Sequence, residues 1–160
     1  MSRAKPLLTL RLRDNSSGPA EPELAGLLAG LLDFAYRRER REPACLDLLL
    51  ADDAEMARLN RRHLGRDEPT DVLAFEDGDC DEDGEGKTHL GDVAIGAETA
   101  RRLAAGRGVK PIDELAFYAL HGLLHLLGRI DGGGGDRAAM LREQLDLMRE
   151  YGIGVSEDML

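Results

Sequence analysis

Two histidines four residues apart, His121 and His125, stand in the otherwise apolar run His121-Gly122-Leu123-Leu124-His125-Leu126-Leu127-Gly128. Four residues is about one helical turn, so both rings leave the same side of a helix with Cβ atoms ~5–6 Å apart. A carboxylate, Asp131, follows just past Gly128, a residue that can end the helix and let the chain fold back toward the rings. Two imidazoles and a carboxylate are a donor set for one divalent metal ion; a hydrogen-bonded structural pair of histidines is the competing reading.

The neighbour of the first histidine narrows the reaction. A peptidase of the HExxH type carries glutamate there to activate water, and the position is Gly122. Phosphodiester cleavage asks less of a dedicated base, because a cation can polarise the phosphoryl oxygen while a nearby arginine neutralises the developing charge.

The helix that must present the pair carries its own punctuation. Pro111 suits a first helical position, Asp113 and Glu114 complement the positive end of the dipole, and Gly128 suits the C-terminal cap, which predicts one helix over 111–127. Its apolar residues surround most of the circumference and predict burial inside the domain. At about 3.6 residues per turn, Glu114, Tyr118, His121 and His125 fall on one strip, so the polar groups of a central helix face one place, with Glu114 available to support a ligand or handle a proton.

Further upstream, Leu8, Leu10 and Leu12 alternate with polar residues and predict a strand, and Leu24, Leu27, Leu28, Leu31 and Ala35 predict a helix over 21–41. Residues 44–51 predict a second strand and Asp53 opens a second helix. Short strands over 72–75 and 92–95 flank an acidic segment, a helix over 97–105 precedes the histidine helix, and an amphipathic helix over 136–151 stops at Gly152. The fold class expected is α+β, one domain over 1–160, with a small mixed β-sheet covered by helices.

Three blocks of this chain then stand together: the histidine run, Pro69-Thr70-Asp71-Val72-Leu73-Ala74-Phe75, and Leu90-Gly91-Asp92-Val93-Ala94-Ile95. They resemble H-G-x-L-H-L-x-G-Y-D-H, P-T-D-V-L-S-F and L-G-D-I-x-I, in that family's order, of the YbeY family of bacterial rRNA maturation endoribonucleases. His121, Gly122, Leu124, His125, Leu126 and Gly128 match position for position, and the resemblance covers about residues 45–131. It implies a zincin-like metal hydrolase with a central buried metal-binding helix and one zinc ion. It also implies a single-stranded RNA substrate, a role in rRNA maturation and ribosome quality control, and a ribosome or small-subunit partner, without DNA or membrane.

Three departures bear on the chemistry. The family's third histidine falls on Asp131, its Tyr-Asp pair on Arg129 and Ile130, and its upstream Tyr-Arg pair on His63 and Leu64. Aspartate oxygen binds zinc at about 2.0–2.2 Å, but the side chain is shorter than imidazole, so the backbone has to come closer. Gly132-Gly133-Gly134-Gly135 permits that approach, and Asp136 competes for the same role. Arg62 and Arg66 are near enough in sequence to replace the missing arginine at a phosphate. The expected function is a zinc-dependent endoribonuclease with His121, His125 and Asp131 as ligands. The alternative is a ribosome-assembly or RNA- or protein-binding factor with weakened catalysis, which Leu64 and Asp131 favour; a metallohydrolase of small substrates ranks third.

Composition bounds these readings. The chain of 160 residues, 42% hydrophobic, suits one compact domain. It holds no apolar run of about 18 residues and no secretory core behind Met1-Ser2-Arg3, and Cys45 and Cys80 lie outside any CxxC spacing, so the cytoplasm is the expected compartment. Its 31 acidic and 21 basic residues give a net charge of −10, against the basic surface usual for RNA binding. Seven of the acids, Glu76, Asp77, Asp79, Asp81, Glu82, Asp83 and Glu85, share one segment; with those set aside, 24 acidic residues face 21 basic ones, and an RNA-binding face is compatible. Asp79, Asp81, Asp83 and Gly84 imitate an EF-hand opening, but the twelfth position is Leu90 rather than glutamate, which removes the calcium reading. Arg37-Arg38-Glu39-Arg40-Arg41 reads as a solvated helix end or, more sharply, a contact for RNA phosphate.

Overall fold

Nine elements follow one another in the computed structural model, which describes residues 5–16, 23–65, 72–75, 87–128 and 134–155, the side chains of 63, 64 and 134–137 excepted. In order they are β1 (Leu8–Asp14), α1 (Leu24–Tyr36), β2 (Ala44–Ala51), α2 (Asp53–Leu64), β3 (Val72–Phe75), β4 (Thr88–Gly96), α3 (Ala97–Arg107), α4 (Pro111–Leu126) and α5 (Gly134–Tyr151). The strands form one mixed sheet in the order β1-β2-β4-β3. β1, β2 and β4 run parallel, and the four-residue β3 lies antiparallel to β4 at the edge.

Side chains alternate across a strand, so the sheet feeds two layers. Leu8, Leu46, Leu48, Leu50, Val93 and Ile95 enter the main core with α1, α3, α4 and α5. The opposite face gives Ala51, Leu73 and Ala94 to a smaller cluster closed by Met56 of α2. Asp52 starts α2 by accepting the Glu55 amide at 2.8 Å, and Gly65 ends it with φ at 70°. The expected small mixed sheet covered by helices is therefore what the chain builds. No helix among the described residues is long and apolar enough to cross a membrane.

One irregularity in β4 changes what the sheet displays. Cys45 pairs with His89 while Leu46 pairs with Gly91, so Leu90 is an extra residue opposite β2. Gly91 takes φ of 149°, and a Cβ there would stand 2.3 Å from the Phe75 carbonyl oxygen. The extra residue reverses the alternation locally, so His89 and Asp92, an odd number of positions apart, reach the same side.

The first helix differs from expectation. It ends at Tyr36, and the basic cluster after it folds as a tight turn in which the amides of Glu39 and Arg40 both donate to the Tyr36 carbonyl. Tyr36 is buried, and its hydroxyl donates to the Glu42 carbonyl at 2.7 Å, which anchors the turn. The four arginines are exposed, and three of them also fasten the turn. Arg37 bridges Asp33 and the Lys5 carbonyl, each at 2.9 Å; Arg38 pairs with Glu150 of α5 and lies 4.9 Å over the Phe34 ring; Arg40 reaches the Leu127 carbonyl at 3.4 Å.

Candidate metal centre

α4 begins with Pro111 in its first turn and Asp113 and Glu114 beside it, and closes on Leu127 followed by Gly128 at φ 85°, as its sequence signals predict. Between those ends Leu115, Ala116, Ala119, Leu120 and Leu123 are fully buried. Gly122 lets the helix lie close on β4, since a Cβ there would stand 2.5 Å from Val93 Cγ1. With that side pressed on the sheet, His121 and His125 are left half-buried on another.

The two rings meet edge to face with centroids 4.6 Å apart and an interplanar angle of 72°. Their Nε2 atoms face each other at 3.0 Å. Two nitrogens bound to one tetrahedral ion at about 2.0–2.1 Å each would be separated by about 3.3 Å, so the pair fits zinc or a similar ion with little movement. On its far side His121 Nδ1 lies 3.0 Å from Oε1 of Gln144, a fully buried residue of α5 whose Nε2 donates to the Phe117 carbonyl at 2.7 Å. Arg40 holds the carbonyl of Leu127, at the helix end that carries His125.

The strip expected along α4 divides in two. Glu114 is fully buried and paired with Arg107 of α3, while Tyr118, also buried, stacks at a tilt against Phe117 with centroids 6.0 Å apart. Seven residues of helix rise separate Glu114 from His121, about 10 Å, so its carboxylate answers to Arg107 rather than to the rings. Asp131 and Arg66 lie outside the described residues, as does the side chain of Asp136. Arg62 is exposed on α2, which covers the sheet face opposite the one that carries α4.

A second constellation was not foreseen. Among the described residues one group of three, Asp47, His89 and Asp92, has ligand atoms mutually within 4.8 Å and thus a donor set that could hold a metal ion. His89 Nε2 lies 2.8 Å from Asp47 Oδ2 and 3.5 Å from Asp92 Oδ1. Asp47 already receives a forked pair of bonds from Arg11, Nε to Oδ1 and Nη2 to Oδ2, both 2.7 Å. Arg11, Asp47, His89 and Asp92 form a chain of polar contacts, and both aspartates line a groove of about 200 Å³ together with Arg13, Leu49, Leu59 and Phe75. Two signals could have found it: Asp47 interrupts an apolar strand, and Asp92 pairs with it across β2 and β4.

Comparison with known proteins fits these observations. The family model described as Endoribonuclease YbeY matches residues 12–152. The chain is similar to the endoribonuclease YbeY of Rhodospirillum rubrum, 47% identical over 131 residues that cover 72% of this chain and 64% of that protein. It is also similar to the endoribonuclease YbeY of Bacillus licheniformis, 31% identical over 159 residues that cover 93% of this chain and 98% of that one. Among solved structures, the solution structure of TM1509 from Thermotoga maritima matches with a TM-score of 0.55 at 21% identity, covering 89% of this chain and 91% of that one, a likeness of fold.

Proposed function

The chain belongs to the endoribonuclease YbeY family, and on that premise we propose that it is a zinc-dependent endoribonuclease that cuts single-stranded RNA in rRNA maturation and ribosome quality control. The observation that carries the reading is the 3.0 Å approach of the His121 and His125 Nε2 atoms from one side of a buried helix. His121 and His125 hold the ion, with Asp131 as third ligand and Asp136 as its rival. When bound there, a divalent ion supplies Lewis-acid polarisation of a phosphoryl oxygen. Arg66 contacts the phosphate and steadies its charge, ahead of Arg62, which α2 carries on the other face of the sheet; Glu114, held by Arg107, serves the site through the position of α4. A ribosome or its small subunit is the partner such a substrate implies, and the cytoplasm the compartment.

The test is elemental analysis of protein purified without chelator, paired with cleavage of a single-stranded RNA. The wild type should carry about one zinc per chain, and His121→Ala/His125→Ala should carry none and cut nothing. Equal zinc content in both would refute the assignment.

A second reading is favoured by Leu64 and Asp131, which stand where the family has arginine and histidine: a ribosome-assembly factor with weakened catalysis. Asp131→His separates the two. A gain of cleavage marks a crippled enzyme, whereas no cleavage in either form together with ribosome co-sedimentation marks a binding factor.

A further inference from the structure

We infer that Gln144 is a positioning residue that fixes His121 in the tautomer protonated at Nδ1 and so leaves its Nε2 lone pair for a metal ion. The inference rests on the reading of His121 as a ligand and extends it from α4 to α5.

Donors and acceptors around the Gln144 amide fix the tautomer. A backbone carbonyl can only accept, so the Gln144 group 2.7 Å from the Phe117 oxygen is its NH₂. The other end of the same amide, facing His121 Nδ1 at 3.0 Å, is therefore the carbonyl oxygen, which also only accepts. A neutral imidazole carries one N–H, and with an acceptor at Nδ1 that proton belongs on Nδ1. Nε2 then carries the lone pair and faces His125 Nε2 at 3.0 Å. In the metal-free protein the 3.0 Å contact between the rings then has the His125 Nε2–H as its donor.

Burial makes the arrangement stiff. Gln144 is fully buried, so rotating its amide would set an oxygen against the Phe117 oxygen in a site closed to bulk solvent. Metal-binding histidines are commonly held by such a partner on the other ring nitrogen, and its loss typically weakens metal affinity about 10–100-fold.

The experiment reads the tautomer and the affinity separately. Nitrogen-15 chemical shifts of the His121 ring in the metal-free, full-length wild type at about pH 8 should show Nδ1 protonated and Nε2 bare. A ring protonated on Nε2 overturns the proposal without any variant. Gln144→Leu should release the ring to a mixture of tautomers and weaken zinc binding, measured by competition with a chromogenic chelator, about 10–100-fold. Unchanged tautomer and affinity in Gln144→Leu would equally overturn it. Failure of the ligand reading looks different: His121→Ala/His125→Ala would bind zinc as tightly as wild type, while the wild-type tautomer still answers for Gln144.

Discussion

Asp113 in the first turn of α4 shows how a single side chain can oppose the element it helps to start. Burial pushes its carboxyl above the ordinary value of 3.8, with Lys110 pulling the other way. A raised value means that the folded state binds the proton more tightly than the unfolded one, so the stability this group contributes is present below 3.8 and lost as pH rises through the raised value. Asp113→Asn should accordingly unfold at a higher urea concentration than wild type at neutral pH, with the difference disappearing below 3.8; a constant difference at every pH would show that ionisation is not the cause. Glu114, next in sequence, is more deeply buried yet has Arg107 against it. Gln144 is the residue whose importance was least legible in the sequence. It lies among Arg142, Glu143 and Asp146 on a helix that reads as amphipathic, and nothing in that spacing says that it turns inward to a histidine ring.

Element boundaries were legible where the chain punctuates itself. Proline and glycine marked α4 to within a residue, because one cannot continue a helix backward and the other ends it in the left-handed region. The end of α1 was not legible, since its arginines are good helix formers and only the tertiary bonds to Leu127, Glu150 and Lys5 turn them aside. β4 began at Thr88, ahead of its expected start, because the extra Leu90 breaks the period of two that identifies a strand. Two glycines at the contact of α4 and β4 can be ranked. Gly122→Ala forces a methyl into the stiff Val93 side chain and should cost about 1–3 kcal/mol by urea denaturation. Gly91→Ala meets a backbone oxygen and an unfavourable φ together and should cost more than about 3 kcal/mol. The reverse order would mean that the Gly91 kink relaxes freely.

At the scale of the whole molecule the question is how a chain of net charge −10 approaches RNA. Seven of its carboxylates lie in the segment between β3 and β4, and repulsion of phosphate by them is long-ranged only at low ionic strength. Replacing the seven with serine or asparagine should tighten binding of a single-stranded RNA oligonucleotide several-fold in dilute buffer, and the gain should vanish near about 1 M salt, as fluorescence anisotropy would report. Equal affinity of the two proteins in dilute buffer would place the segment away from the RNA path. The close seat of α4 on the sheet also limits what descendants of this chain can become. A glutamate planted after His121 would project into Val93 rather than toward the imidazoles, so no single codon change converts the scaffold into a peptidase.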